Sequence, residues 1–250
     1  MGNWQEIDNE RKKYIRMGER LFGGTFTDIR RSLFDELKNI DRIEQIEGVV
    51  ESFKFDANLW DAYEKFYTRT APDFAERTVR RHKKSRKDID LYIEEVLEFV
   101  RVNSGDKITK IIKTHYDDIV RIAKAAVEKG IDEGLGFDQV ARIIRREQGD
   151  IDSWKALRIA RTETVAASNY GVELGAEQLP GTKRKVWISS FTPTSREDHM
   201  EMDGVQIGLG ESFRLSDGTN LRFPGDPEGP ADQIINCRCA EEVIIIDEIY

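Results

Sequence analysis

Through roughly the first 180 positions, apolar residues recur at steps of three and four, the spacing of one face of a helix. Ile29, Leu33, Leu37 and Ile40 form one such stripe, widened by Phe34, and Leu59, Tyr63, Phe66 and Tyr67 form a second. Ala71-Pro72-Asp73 predicts a fresh helix start, because proline costs nothing in a first turn whose N–H groups lack partners anyway. Ile89, Tyr92, Ile93, Val96, Leu97 and Val100 predict a helix that stops near residues 103–106, where the chain reads Asn-Ser-Gly-Asp. Ile108, Ile111, Ile112, Ile119, Ile122, Ala123 and Ala126 predict another, ending towards Gly130. A shorter helix over 137–147 and a long one from about Asp152 to Gln178 follow.

From Lys183 the pattern changes to short β-prone pieces, Arg-Lys-Val-Trp-Ile-Ser-Ser, Gly-Val-Gln-Ile, Glu-Ser-Phe-Arg-Leu and Asn-Leu-Arg-Phe-Pro, parted by Pro193, Gly204, Asp217-Gly218 and Pro224-Gly225. Glu241 to Tyr250 reads as a final strand. The expected fold class is therefore α+β: a mostly helical N-terminal part, then a long helix packed on a small antiparallel sheet. A division into a helical region over 1–105 and an α+β domain over 106–250 follows. Stripes such as that of Ile29 and Leu33 could cover a partner protein or close an intramolecular bundle; the first reading makes 1–105 a partner-binding region.

Composition narrows the class. With 250 residues, 39% hydrophobic and 34% charged, the chain can build a sizeable core under a polar exterior without disulfides. Two cysteines are too few for a disulfide-rich secreted scaffold, and no apolar run approaches the ~20 residues of a membrane span. The charged opening stretch lacks an apolar signal core, which predicts a product made in the cytoplasm, with no membrane partner.

The net charge of −8 gives the molecule no long-range attraction to phosphate backbones. Arg77 to Lys87 is the exception, a basic run free of acidic residues, with Arg80, Arg81, Lys83 and Lys84 as candidate nucleic-acid contacts. Without interleaved aromatics it offers phosphate contact alone, and it could equally be a solvated connector.

Three pieces of the last hundred residues carry the candidate chemistry. In the long helix, the steps Trp154, Leu157, Arg161, Thr164, Ser168, Val172 place Arg161 on the expected inward stripe, where a charge needs partners and a five-donor guanidinium suits clamping. Ser195 to Gly204 packs Arg196, His199 and Asp203 directly after a strand, with no serine or cysteine at a nucleophile elbow to make His199 a general base. Both cysteines sit at Asn236-Cys237-Arg238-Cys239. On an extended chain Cys237 and Cys239 project to one face and Arg238 to the other. With His199, and with Asp198 or Asp203 adding an oxygen, they could ligate a tetrahedral Zn²⁺. Cys-x-Cys is tighter than the usual knuckle spacing, however, so buried packing thiols, or a strained disulfide, remain open at this point.

Taken in order, these pieces resemble the C-terminal domain of the phage Mu F-like minor head proteins. The resemblance runs over about 151–243 and rests on Arg161-Thr162-Glu163, Trp187, Arg196 and His199 before Asp203-Gly204, Phe213, Leu221, Phe223-Pro224-Gly225-Asp226 and Asn236 to Cys239. Between Thr192 and Ser195 the chain lacks an acidic residue common in the family. The resemblance implies a head morphogenesis protein: a structural virion component inside the head at the portal vertex, acting in capsid assembly and in DNA packaging or delivery. Its implied partners are the portal protein, other head proteins and packaged DNA, with no cofactor beyond the optional zinc. Arg161, Glu163 and Arg196 are the expected structural anchors.

The competing class is an enzyme. An arginine beside a small sheet is similar to the arrangement in ADP-ribosyltransferases, whose catalysis wants a Glu-x-Glu or Gln-x-Glu pair on a late strand. No such pair follows Arg161; Gln45-Ile46-Glu47 lies far upstream in an expected helix.

Overall fold

The computed structural model describes residues 4–37, 48–49, 52, 56–83 and 92–247. Among the described residues four long helices come first: α1 (Trp4–Leu37), α2 (Asp56–Lys83), α3 (Ile93–Glu133) and α4 (Phe137–Glu177). They are followed by β1 (Thr182–Ile188), a short α5 (Glu197–Glu201), β2 (Gln206–Gly208), β3 (Phe213–Arg214), β4 (Asn220–Leu221), a short α6 (Ala231–Ile234) and β5 (Ala240–Asp247). The α+β class expected from the pattern is the class observed. Ile40, Gln45 to Glu47, Lys84, Ile89 and residues 248–250 lie outside the described residues, as do the side chains of Leu37 and Lys83.

Three expected helix breaks are absent. Pro72 lies inside α2, not at its start. Ala71, Phe74 and Ala75 around it are almost completely buried, and that packing holds the helix together across the hydrogen bond proline cannot make. The Asn-Ser-Gly-Asp stretch lies within α3, where Asn103 Nδ2 donates to Phe99 O at 2.8 Å. Residues 137–177 form one helix, with Gln148 Nε2 bonded to Asp152 Oδ1 at 2.7 Å across the expected gap.

The chain forms two compact units, each assembled from separated segments: unit 1 is Met1–Gly18, Glu64–Asn103 and Arg158–Tyr250, and unit 2 is Glu19–Tyr63 and Ser104–Leu157. Unit 2 is helical. Leu33, Ile119 and Ala123 form one of its core clusters, with Val49, Tyr116, Val120 and Ile144 against it. Ile29 and Leu33, each 2% exposed, are thus spent on the chain's own interior. The described part of the stripe expected to meet a partner is buried within the chain instead, which removes its apolar area from water without a second molecule. Arg30 Nη1 pairs with Asp152 at 2.7 Å and Lys155 with Asp118 at 2.8 Å. Next to them His115 is buried against Phe26, ring centroids 4.8 Å apart.

Unit 1 holds both sheets. β2-β1-β5 is antiparallel, with Trp187 opposite Glu241 and Val186 opposite both Gln206 and Glu242; β3 pairs with β4 through Phe213 and Leu221. Helix α4 packs on the sheet through Val172 and Ala176 against Val243. Gly171 and Gly175 let α4 touch the backbone of α2: a Cβ at either position would fall onto the carbonyl oxygen of Ala71 or Ala75. One core cluster of this unit gathers Val165, Trp187, Met202, Phe213, Leu215, Leu221, Ile234, Cys237 and Cys239.

Candidate functional site

The Cys-Arg-Cys segment lies between α6 and β5 and is set by its backbone. Asn236 adopts φ 56°, the left-handed region that asparagine tolerates better than most residues, and its N–H is held by Thr162 Oγ1 at 3.1 Å. The chain then runs extended into β5. Cys237 and Cys239 are each 2% exposed, whereas Arg238 turns outward to Asp8 at 2.9 Å and stacks over Trp4. The alternation expected for the segment is the one seen, and both cysteines are free.

His199 on α5 meets them. Its Nδ1 lies 3.6 Å from Cys237 Sγ and 3.7 Å from Cys239 Sγ, and its ring meets Trp187 edge-on at 5.1 Å. The far nitrogen, Nε2, is 2.9 Å from Gln233 Oε1. Gln233 has no freedom to flip, because its amide nitrogen donates to Asp198 Oδ2 at 2.6 Å and to Asp217 Oδ2 at 2.8 Å, and carboxylates only accept. Gln233 therefore accepts from Nε2–H, and in the neutral ring the lone pair is on Nδ1, facing the two sulfurs. Ser189 Oγ borders the same space, 3.8 Å from Cys239 Sγ. The hydrogen bond between the two cysteines lowers the pKa of Cys239 and, together with burial, raises that of Cys237, so the pair holds one proton more firmly than the other. Among the described residues, His199, Cys237 and Cys239 are the one group of three ligand-type side chains close enough to hold a metal ion.

Asp198 and Asp203, expected as extra oxygen ligands, face elsewhere. Asp198 accepts from Gln233 and from the His199 backbone N–H, and Asp203 Oδ1 accepts from Ser189 N at 2.8 Å. Arg196, half-buried, donates to Ile235 O at 2.9 Å and so ties the α5 region to the turn before Cys237. Glu163 is buried and accepts from Tyr67 Oη at 2.6 Å.

Arg161 is not an anchor. It is exposed and makes no hydrogen bond or ion pair among the described residues. The expected inward stripe had the wrong helical phase: Trp154, seven residues earlier and on the same side, is 57% exposed, while the buried face runs through Asp152, Ala156, Ile159, Ala160 and Glu163. The clamp is Arg11 of α1, 2% exposed. Its guanidinium donates to Ser168 Oγ at 2.8 Å, Asn169 Oδ1 at 2.7 Å, Cys239 O at 3.1 Å and Arg238 O at 3.2 Å. Burial lowers its pKa to about 10, which leaves it charged at neutral pH. A signal for it exists in the sequence, because Arg11 falls in step with Ile7, Tyr14, Phe22, Phe26, Ile29 and Leu33 on one face of α1.

Among the described residues of the basic run, Arg77 is mostly buried, Arg80 and Arg81 are exposed, and all three pair with carboxylates of unit 1. Arg77 pairs with Glu10 at 2.7 Å, Arg80 with Glu76 at 2.5 Å, and Arg81 with Glu242 and with Glu6 at 3.0 Å.

Comparison with known proteins bears on the same region. The family described as Phage Mu protein F like protein matches residues 121–242, beginning upstream of the start expected at 151. An uncharacterized protein, YqbB of Bacillus subtilis (strain 168), is 22% identical over 249 residues, 95% of this chain and 80% of that protein. The NAD(+)–arginine ADP-ribosyltransferase EFV of Enterococcus faecalis (strain ATCC 700802 / V583) is 27% identical over 149 residues, 58% of this chain; the chain covers only 30% of the transferase. No solved structure matches. Among the described residues no helix is long and apolar enough to cross a membrane. Residues 121–242, the span that matches the Phage Mu protein F like family, contain His199, Cys237 and Cys239.

Proposed function

We propose that this chain is a minor head protein of a phage, a structural virion component that acts in head morphogenesis inside the capsid at the portal vertex. The observation that carries this reading is the family match over 121–242. The construction of unit 1 is compatible with it. Its buried polar groups, Arg11, Glu163 and Gln233, are engaged in holding helices and sheet together, the use expected of a scaffold that must stay rigid in an assembly. With Ile29 and Leu33 buried internally, portal contact falls to other surfaces of the chain. Among the described residues of the basic run, Arg77, Arg80 and Arg81 each pair with a carboxylate, which leaves them less charge to offer a phosphate backbone.

The test is co-expression with the portal protein encoded in the same genome, followed by size-exclusion chromatography of the soluble fraction. Co-migration with the portal oligomer is expected. Elution of the chain only at its own size, with normal heads assembling in its absence, would overturn the proposal.

A second reading, ADP-ribosyl transfer, is favoured by the similarity to the Enterococcus transferase. It lacks a late-strand Glu-x-Glu or Gln-x-Glu pair in this chain, and Gln45 to Glu47 lie outside the described residues. Incubation with labelled NAD⁺ and an arginine-rich acceptor is expected to leave the acceptor unlabelled; transfer above a protein-free blank would replace the structural reading with an enzymatic one.

A further inference from the structure

We propose that His199 Nδ1, Cys237 Sγ and Cys239 Sγ hold a Zn²⁺ ion that fastens α5 to the chain entering β5. This inference stands apart from the head-protein reading.

The first argument is geometric. In a tetrahedral site with Zn–S about 2.3 Å and Zn–N about 2.0–2.1 Å, the edge between a sulfur and a nitrogen ligand is about 3.6 Å. The two Sγ···Nδ1 separations here are 3.6 and 3.7 Å, and all three donor atoms lie within 4.8 Å of one another. Both sulfur–nitrogen edges of a zinc tetrahedron are therefore in place, and the two sulfurs are close enough to share one ion. Ser189 Oγ, 3.8 Å from Cys239 Sγ, borders the fourth corner, which its hydroxyl or a water would fill.

The second argument concerns the layer behind the donors. A metal-binding imidazole needs one nitrogen bare and the other tied to an acceptor. Two carboxylates, Asp198 and Asp217, fix Gln233; Gln233 accepts from Nε2–H; and the bare Nδ1 faces the sulfurs. Cysteines that only fill space need no such chain of three residues from separate segments of the fold. Nor does Arg11 serve as their counter-charge by contact, since its donors go to the Ser168 and Asn169 side chains and to the carbonyls of residues 238 and 239.

The third argument is charge. Two thiolates and a neutral imidazole around Zn²⁺ sum to zero, the state best suited to a pocket in which all three ligands are at most 2% exposed. A thiol that enters as S–H gives its proton to solvent when the Zn–S bond forms. The site closes the loop between residues 199 and 237, so the metal would act by holding the folded arrangement.

The experiment uses the full chain, purified without chelator and without a metal-affinity step, for elemental analysis and for Co²⁺ titration of chelator-treated protein. Close to one zinc per chain is expected, along with a Co²⁺ spectrum showing tetrahedral d–d bands and thiolate-to-cobalt charge transfer. Both thiols should resist a disulfide reagent until a chelator is added. Cys239→Ser tests a ligand directly but removes a core side chain, so Gln233→Leu provides a variant that keeps every donor atom. Loss of the clamp on His199 should weaken Co²⁺ binding about 10–100-fold. Zinc below about a tenth of an equivalent after Zn²⁺ loading and buffer exchange, with no cobalt–thiolate band on folded wild-type protein, would overturn the proposal. A Co²⁺ affinity unchanged by Gln233→Leu would overturn the part given to Gln233.

Discussion

Replacing Arg11 by methionine removes the buried guanidinium while keeping an unbranched apolar stem in its place. Four hydrogen bonds disappear, and hydrogen bonds to charged groups are each worth about 1.5–3 kcal/mol. The net loss is smaller than their sum for two reasons. The substitution also removes the cost of burying a cation. Moreover, three of the four acceptors keep another donor: Arg238 O has Trp4 Nε1 at 2.9 Å, Cys239 O has Asn169 Nδ2 at 3.3 Å, and Asn169 Oδ1 has the Glu241 N–H at 3.1 Å. We expect about 3 kcal/mol, the lower end of the range for breaking a buried charge network. Arg11→Lys should lose about 2 kcal/mol, since an ammonium cannot span acceptors on α4 and on the Cys-Arg-Cys segment together. Urea unfolding followed by tryptophan fluorescence reads this as a lower midpoint at unchanged slope. Arg161→Ala, at an exposed position, serves as the control and should stay within about 0.5 kcal/mol of wild type. If Arg11→Met also falls within that window, the assignment of Arg11 as the clamp is wrong.

Gly171→Ala would drive a methyl into the Ala71 carbonyl and Phe74, so a loss of about 3 kcal/mol in thermal unfolding is expected, and a near-neutral result would mean α2 and α4 can move apart freely. Glu241 is buried, with neither carboxylate oxygen hydrogen-bonded among the described residues; burial, then Glu173, and also Asp226, raise its pKa, while Lys185 opposes. The folded state therefore resists ionisation that the unfolded state undergoes near pH 4.5, and stability should fall above that pH by up to about 1.4 kcal/mol per unit. Glu241→Gln should gain on wild type as pH rises from there to 7; a difference independent of pH would refute this. His115 has its pKa pushed down to about 3, chiefly by burial and next by Lys155, so stability should drop as pH falls from about 6.5 towards 3, by up to about 1.4 kcal/mol per unit. Denaturant midpoints across that range, flattened in His115→Gln, would check it.

Much of the C-terminal half was legible because its signals are local. Alternation placed the two sulfurs inward and Arg238 outward, and the turn residues separated the strands. Helix continuity was less legible. Pro72, Gly105 and Gly149 are breakers by propensity, yet each sits inside a long helix, because tertiary packing outweighs costs of about 1–3 kcal/mol. Arg161 was misplaced for a related reason: α4 is buried on most of its circumference from Thr162 to Asn169, so no single apolar stripe sets its phase. Gln233 carries no sequence signal, since its role exists only once Asp198, Asp217 and His199 come together. Arg11 did carry one, an ionisable residue in step with an apolar face.

The clamp made by Arg11 also governs the order in which unit 1 can be finished during translation. Its carbonyl acceptors at residues 238 and 239 lie 227 and 228 positions downstream. Until the ribosome has released that stretch, the first helix carries a cation on its apolar face with no acceptor from the Cys-Arg-Cys segment. The nascent chain can form helices as it emerges, but it cannot seal this interior early. A prematurely terminated product is thereby marked as incomplete: it exposes an apolar face bearing an unsatisfied charge, which favours its removal.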